Sequence, residues 1–443
     1  MTAVLLSRIQ FAFTIGYHFL FVPFSIGLGM IIIWAERRYR RSGLDADRAA
    51  SDFWIKLFAA TFAVGVASGL TMEFAFGTNW AAYSRFVGGV FAVPLAAEGI
   101  FSFFLESTFL GVLLFARKRV SPRFYYTSVR LVVFAAVFSA FWILAANSWM
   151  QTPRGSSVVD GRAVLTNVWA ALFTPSLIPR FVHTVGATLV AGAFLAAGVS
   201  AYYLLRDRHV AFAKRTIRMA LIVGFLLSAV MPLLGHWQAL GIAKDQPIKM
   251  AAMEGIYETG SHKALSVLGF VDESAQKPVG ILIPDGLSLI LGLSPDKLVI
   301  GLNSVPPADR PPVEIVFQSW HFMIAIGMVL IVIPLVGLYL WWRGKLERSR
   351  WFLRVLQLTI PLPILATTLG WMTAEIGRQP WVVQGQLRTS DAVSPTVSAT
   401  QVATTLAIFV ILYAALFYFW LTVVRRIVRR GPEEITPEPE VRR

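Results

Sequence analysis

Nine stretches of mainly apolar sequence, each near the roughly 20 residues that cross a bilayer as a helix, constrain this chain more than any other feature. They predict spans over residues 10–34, 53–76, 91–116, 126–146, 182–205, 216–240, 316–342, 355–374 and 400–424. Charged residues make up only 15% of the chain, against about a quarter in soluble proteins. The fold class that follows is an all-α integral membrane protein, a bundle of about nine transmembrane helices over residues 1–430. Residues 431–443, rich in Pro and Glu, read as a disordered tail.

A net charge of +15 raises the question of nucleic acid, and its placement answers no. The Arg and Lys residues gather at 37–41, 117–119, 206–218, 343–354 and 425–430, in every second connection between spans. That alternation is the positive-inside pattern, with the N-terminus outside and the C-terminus in the cytoplasm. The outer loops are then 77–90, 147–181, 241–315 and 375–399, and the long 241–315 loop is a candidate functional segment. The first apolar run is long and ends on a basic stop, so it reads as a retained span rather than a cleaved leader. Absence of cysteine excludes disulfides, iron–sulfur clusters and thiolate-held haem, so any redox metal falls to His, Met, carboxylate or Tyr. No internal repeat or inverted symmetry points to a common transporter design.

Ionisable groups at membrane depth are costly and mark function by default. His18 lies about eight residues into the first predicted span, His183 opens the fifth, His321 and Met323 lie in the outer part of the seventh, and Glu375 closes the eighth. A lone buried His is more often a structural hydrogen-bonding group than a ligand, and a Met in a span is usually core. Here His18, His183, Met323 and Glu375 share the outer half of the membrane on four helices. A His and a Met at one depth can supply the axial pair of a low-spin haem. Glu98 and Glu106, eight residues apart on the third span, suit a proton relay. The plainer alternative is a pair of carboxylates bonded to Ser102, Ser107 or Thr108.

Segments along nearly the whole chain resemble the large subunit of the cytochrome bd quinol oxidases. They are Ser7-Arg-Ile-Gln-Phe11, Tyr17-His-Phe-Leu-Phe-Val-Pro23, Gly69-Leu-Thr-Met-Glu-Phe-Ala-Phe-Gly-Thr-Asn-Trp80, the stretch from Glu98 to Glu106, Asn147-Ser-Trp-Met-Gln-Thr-Pro153, Lys249-Met-Ala-Ala-Met-Glu254 and Glu375-Ile-Gly-Arg-Gln-Pro-Trp381. The resemblance implies that His183 and Met323 hold a low-spin haem b. It implies that His18 and Glu375 ligate a high-spin haem b and a haem d, or a third haem b, without fixing which takes which. Glu98 and Glu106 resemble the carboxylates that carry protons to the oxygen site. Lys249 and Glu254 resemble quinol-site residues, and Arg8, Trp371 and Arg378 resemble groups that bind propionates or line the haems. His321 stands where this family usually has Arg, and the loop after the eighth span is compact.

The activity implied is oxidation of quinol at the outer face and reduction of dioxygen to water, electrogenic without pumping. The partners implied are a smaller membrane subunit, quinol and dioxygen, in a bacterial or archaeal cytoplasmic membrane. Rival readings are a relative carrying only b-type haems, and a haem-free proton-coupled transporter.

Overall fold

The computed structural model describes residues 2–433, apart from the side chains of 93, 97 and 101–103. Most of the predicted tail therefore lies outside the described residues. Nine helical spans among the described residues are long and apolar enough to cross a membrane.

The first span is bent rather than continuous: α1 (Ala3–His18) stops, and α2 (Val22–Ser42) restarts. Pro23 explains the break, since it lacks an N–H and its ring clashes with the carbonyl of the residue four before it. His18 is thus the last residue of α1, not a position eight residues into a helix. After α3 (Asp45–Thr78) comes α4 (Ala81–Ala97), which occupies most of the predicted 77–90 loop. Its Tyr83, Phe86, Val87, Val90 and Phe91 recur at helical spacing and are buried with Trp80 and Trp149. Polar Ser84 and Arg85 and two glycines dilute the run, which hid this stripe from a hydropathy reading. A π turn, Glu98–Ser102, joins α4 to α5 (Phe103–Phe115).

Helix α6 (Pro122–Gln151) opens with Ser121 capping the Phe124 N–H and with Pro122 in its first turn. A hairpin, β1 (Ser156–Val159) with β2 (Arg162–Leu165), and the short α7 (Val168–Leu172) lead to α8 (Leu177–Leu204) and α9 (Val210–Asp245). The long connection then folds as α10 (Pro247–Glu254), a hairpin of β3 (Leu265–Asp272) with β4 (Lys277–Ile283), and α11 (Gly286–Gly292). It returns to the bundle as α12 (Val313–Trp342). The eighth span is also two helices, α13 (Arg350–Leu358) and α14 (Leu362–Ile376), broken by Pro361 and Pro363 where one helix was predicted. The chain ends with β5 (Trp381–Val383), β6 (Leu387–Arg388), α15 (Thr389–Ala392) and α16 (Ala399–Arg430).

Helix α8 is central, packing on α9, α2 and α13, while α12 packs on α9 and α14. At the α2–α8 crossing a Cβ on Gly27 would stand 2.4 Å from the Thr188 carbonyl oxygen, and one on Gly192 would stand 2.4 Å from Gly27. Small residues let membrane helices approach this closely. The main core, with Trp54, Phe58, Tyr203 and Phe352, lies toward the bundle end that carries the arginine clusters. The opposite end, here the loop face, has its own core, in which Met250, Met253 and Tyr257 pack on Val316 and Phe317 of α12. Gly255 caps α10 with φ +69°, and a Cβ there would meet Val271 at 2.9 Å, so this turn needs glycine twice over.

Candidate functional site

Glu375 lies in the last turn of α14, with its side chain 15% exposed, and both oxygens are held. Asn147 donates to one at 2.9 Å, Gln151 to the same oxygen at 3.0 Å, and Arg378 to the other at 2.5 Å. Arg180, one turn before His183 on α8, donates to the side-chain amide oxygen of Asn147 at 3.0 Å. Lys249 of α10 reaches in from the loop face to donate to Gln151 and, at 3.0 Å, to Gln246. Its stem lies against Gly377, where a Cβ would meet it at 2.9 Å. One network therefore buries three cations, Arg180, Lys249 and Arg378, around a single carboxylate. Burial, and then the positive charges of Arg180 and Arg378, push the Lys249 ammonium well below the usual lysine range, with Glu375 opposing.

Buried charge must be compensated. The Nε of Arg180, and the Nε and Nη1 of Arg378, are buried with no hydrogen-bond partner among the described residues. The donor set thus fits an anionic group of more than one acceptor oxygen, as haem propionates are. Buried Nδ1 of His183 is likewise without a partner. None of the candidate ligands belongs to a cluster of three or more His, Asp or Glu side chains among the described residues. A bare ion would lack ligands there, whereas a porphyrin brings four nitrogens and asks one or two axial groups of the protein.

Three of the four candidate ligands lie against a glycine on another helix. A Cβ on Gly69 of α3 would be 3.3 Å from Cε1 of His18, and one on Gly235 of α9 3.5 Å from Cε1 of His183. On Gly370 of α14 it would be 2.8 Å from Sδ of Met323. Ser68, beside Gly69, pairs with Nδ1 of His18 at 2.9 Å and so orients the ring. Trp371, beside Gly370, has its ring 5.8 Å from Phe19, in the break after His18. That contact ties the two broken spans together at the depth of His18.

Glu98 opens the π turn and accepts a hydrogen bond from Ser139 of α6 at 2.8 Å. Ser107, one of the three partners named in the plainer alternative, donates to the Phe104 carbonyl at 3.3 Å. Because a π turn takes an extra residue per hydrogen-bonded turn, the eight steps from Glu98 to Glu106 rotate less than in a regular helix. Glu106 is 8% exposed.

At the loop face, Glu254 ends α10 fully buried, and both of its oxygens accept: one from Trp320 Nε1 at 2.9 Å, the other from the Ser266 N–H at 3.2 Å. Burial raises its carboxyl to about 7, against the pull of those two bonds. His321 meets the other polar backbone group of that same Ser266, its ring nitrogens 2.8 Å from the Phe317 carbonyl and 3.0 Å from the Ser266 carbonyl. Arg8 stands apart from the network too. It lines a cavity of about 270 Å³ with Arg310, Gln379, Thr389 and Ser390.

Sequence reasoning missed Arg180, Gln151, Gln246, Ser139 and Ser266. Arg180 carried a usable signal, a cation on the arginine-poor side one helical turn from a candidate ligand. Ser266 carried none, because it acts through its backbone.

The chain matches the family described as cytochrome bd terminal oxidase subunit I over residues 6–432. It is 38% identical to the cytochrome bd ubiquinol oxidase subunit 1 of Bacillus subtilis (strain 168), over 98% of this chain and 95% of that one. It is 34% identical to the cytochrome bd-II ubiquinol oxidase subunit 1 of Escherichia coli (strain K12), over 98% of both. Its fold is similar to the bd oxidase from Geobacillus thermodenitrificans, with a TM-score of 0.89, 28% identity, and coverage of 97% of this chain and 99% of that one. A full-length family match, relatives above 30% identity and nine apolar spans agree: the chain belongs to the cytochrome bd terminal oxidase subunit I family.

Proposed function

We propose that this chain is the haem-bearing subunit of a terminal oxidase that oxidises quinol at the loop face, which is the outer side of the membrane, and reduces dioxygen to water. The observation that carries the reading is the buried network of Arg180, Lys249, Arg378 and Glu375, whose unpaired donors fit propionates and whose lysine extends to the quinol loop. His183 and Met323 would hold a low-spin haem b. His18 and Glu375 would hold a high-spin haem b and a haem d, or a third haem b. When bound, these groups supply the electron transfer and oxygen chemistry.

The chain's own residues bind, orient and move protons. Glu254 accepts a proton from the quinol hydroxyl, and Lys249 binds the ring oxygen. Two quinols give up four protons outside and four electrons, and one dioxygen takes up four of each to form two waters. The protons for water enter from the arginine-clustered, cytoplasmic side, and Glu106 and Glu98 pass them on, with Ser139 orienting Glu98. The charge separation is electrogenic without pumping. A smaller membrane subunit completes the complex in a bacterial or archaeal cytoplasmic membrane.

Absorption spectra of the purified complex, oxidised and dithionite-reduced, test the reading, with a pyridine haemochrome to tell haem b from haem d. His183→Ala and Met323→Leu should each remove the low-spin signal. An unchanged low-spin spectrum in both overturns the assignment.

A further inference from the structure

Hairpin β3–β4 is fastened to α12 by its backbone, not by side-chain packing alone. Glu314 accepts from the Val271 N–H at 2.7 Å, Gln318 donates to the Gly269 carbonyl at 2.9 Å, and His321 meets the Ser266 carbonyl at 3.0 Å. The three residues are spaced i, i+4 and i+7, one face of the helix. Glu314 and Gln318 also bond each other at 2.8 Å, so neither is free to turn away.

On the strand, Gly269 and Val271 obey the period of two that puts alternate peptide groups on the same edge. Ser266 breaks that period and still points to α12. The reason is a bulge: Ser266 pairs with Leu282 and Leu268 with Ile281, so Val267 is one residue too many. Bulges re-aim the groups beside them. Here the bulge turns the Ser266 N–H onto Glu254 and its carbonyl onto His321.

We propose that Glu314 and Gln318 are positioning residues for quinol oxidation, holding the bulged strand so that Ser266 presents its N–H to Glu254. The inference rests on the reading of Glu254 as a quinol-site base. Neither residue touches that carboxylate; each acts through the strand.

The test uses the complete complex with a short-chain ubiquinol, measuring KM and kcat beside the haem absorption. Glu314→Ala and Gln318→Ala should each raise KM by about three- to tenfold, the scale of one ordinary hydrogen bond, with haem absorption unchanged. Glu314→Gln keeps an acceptor for the Val271 N–H and should stay within about twofold of wild type. Should Glu314→Ala fail to assemble, Gln318→Ala carries the test alone. Wild-type KM in the alanine variants, with Glu254→Ala impaired, overturns the positioning role alone. Wild-type kinetics in Glu254→Ala overturns the reading beneath it as well.

Discussion

The Met323 thioether lies 2.8 Å from where a Cβ on Gly370 would stand, so the sulfur occupies the space that glycine leaves. Helix α14 thereby limits where α12 can present its sulfur. In a chain without haem the flexible thioether can swing aside, and Ala favours a helix over Gly by roughly 1 kcal/mol. Gly370→Ala should therefore leave thermal stability at or slightly above wild type. It should shift or abolish the low-spin haem band, because an iron-bound sulfur cannot retreat. Gly241→Ala, whose Cβ meets nothing within 4 Å, is the control. A wild-type low-spin spectrum in Gly370→Ala removes this constraint.

The carboxyl of Glu254 is raised to about 7, so its proton-accepting form is the minority below that pH and the majority above it. Quinol kcat/KM should climb as pH passes upward through about 7. Glu254→Gln, which cannot titrate, should lose that limb and most of the activity while keeping the haem spectra. The readout is a pH profile from 5.5 to 8.5 at constant ionic strength, roughly 1.5 units either side of the midpoint.

Glu106→Gln keeps size and hydrogen bonding but cannot release a proton. An ionisable group in a span is a functional candidate because leaving it there is costly. Oxygen consumption should fall by about a hundredfold, the lower end of what a positioned proton-transfer group supplies. Quinol should still reduce the low-spin haem in rapid-mixing spectra. Wild-type oxygen consumption with all haems present takes Glu106 out of the proton route.

Arg180→Gln removes one of three buried cations from the network. Losing one partner of a buried charge pair costs about 2–5 kcal/mol, so haem retention should weaken by more than about tenfold. Arg180→Lys should recover part of it. Haem per polypeptide after detergent washing, by pyridine haemochrome, gives the answer.

Much of this architecture was legible because a bilayer demands long apolar helices, and such runs are hard to disguise. Even so, hydropathy averages over breaks. Pro23, Pro361 and Pro363 interrupt spans whose side chains stay apolar throughout, so the bend at His18 left no trace in the window. The first half of helix α4, residues 81–90, falls in the expected 77–90 loop because Ser84, Arg85 and two glycines outweigh its buried stripe. The site residues were legible where a charge or sulfur stood at an odd depth. Asn147, Gln151 and Gln246 carry no such mark, since neutral amides on a helix end are commonplace. Ser266 was invisible for another reason: its contribution is a peptide group, aimed by a bulge that depends on the pairing of another strand.

Gln151 gives its amide to Glu375 and its carbonyl to Lys249, and an amide cannot turn over without facing an N–H toward the ammonium. Mutational effects at Lys249 and Glu375 will therefore not add. Each substitution changes what Gln151 offers the other, and a double-mutant cycle between them should show a coupling energy on the order of 1 kcal/mol that shrinks in a Gln151→Ala background, leaving the direct charge attraction. A loss measured at the lysine is thus partly a statement about the glutamate.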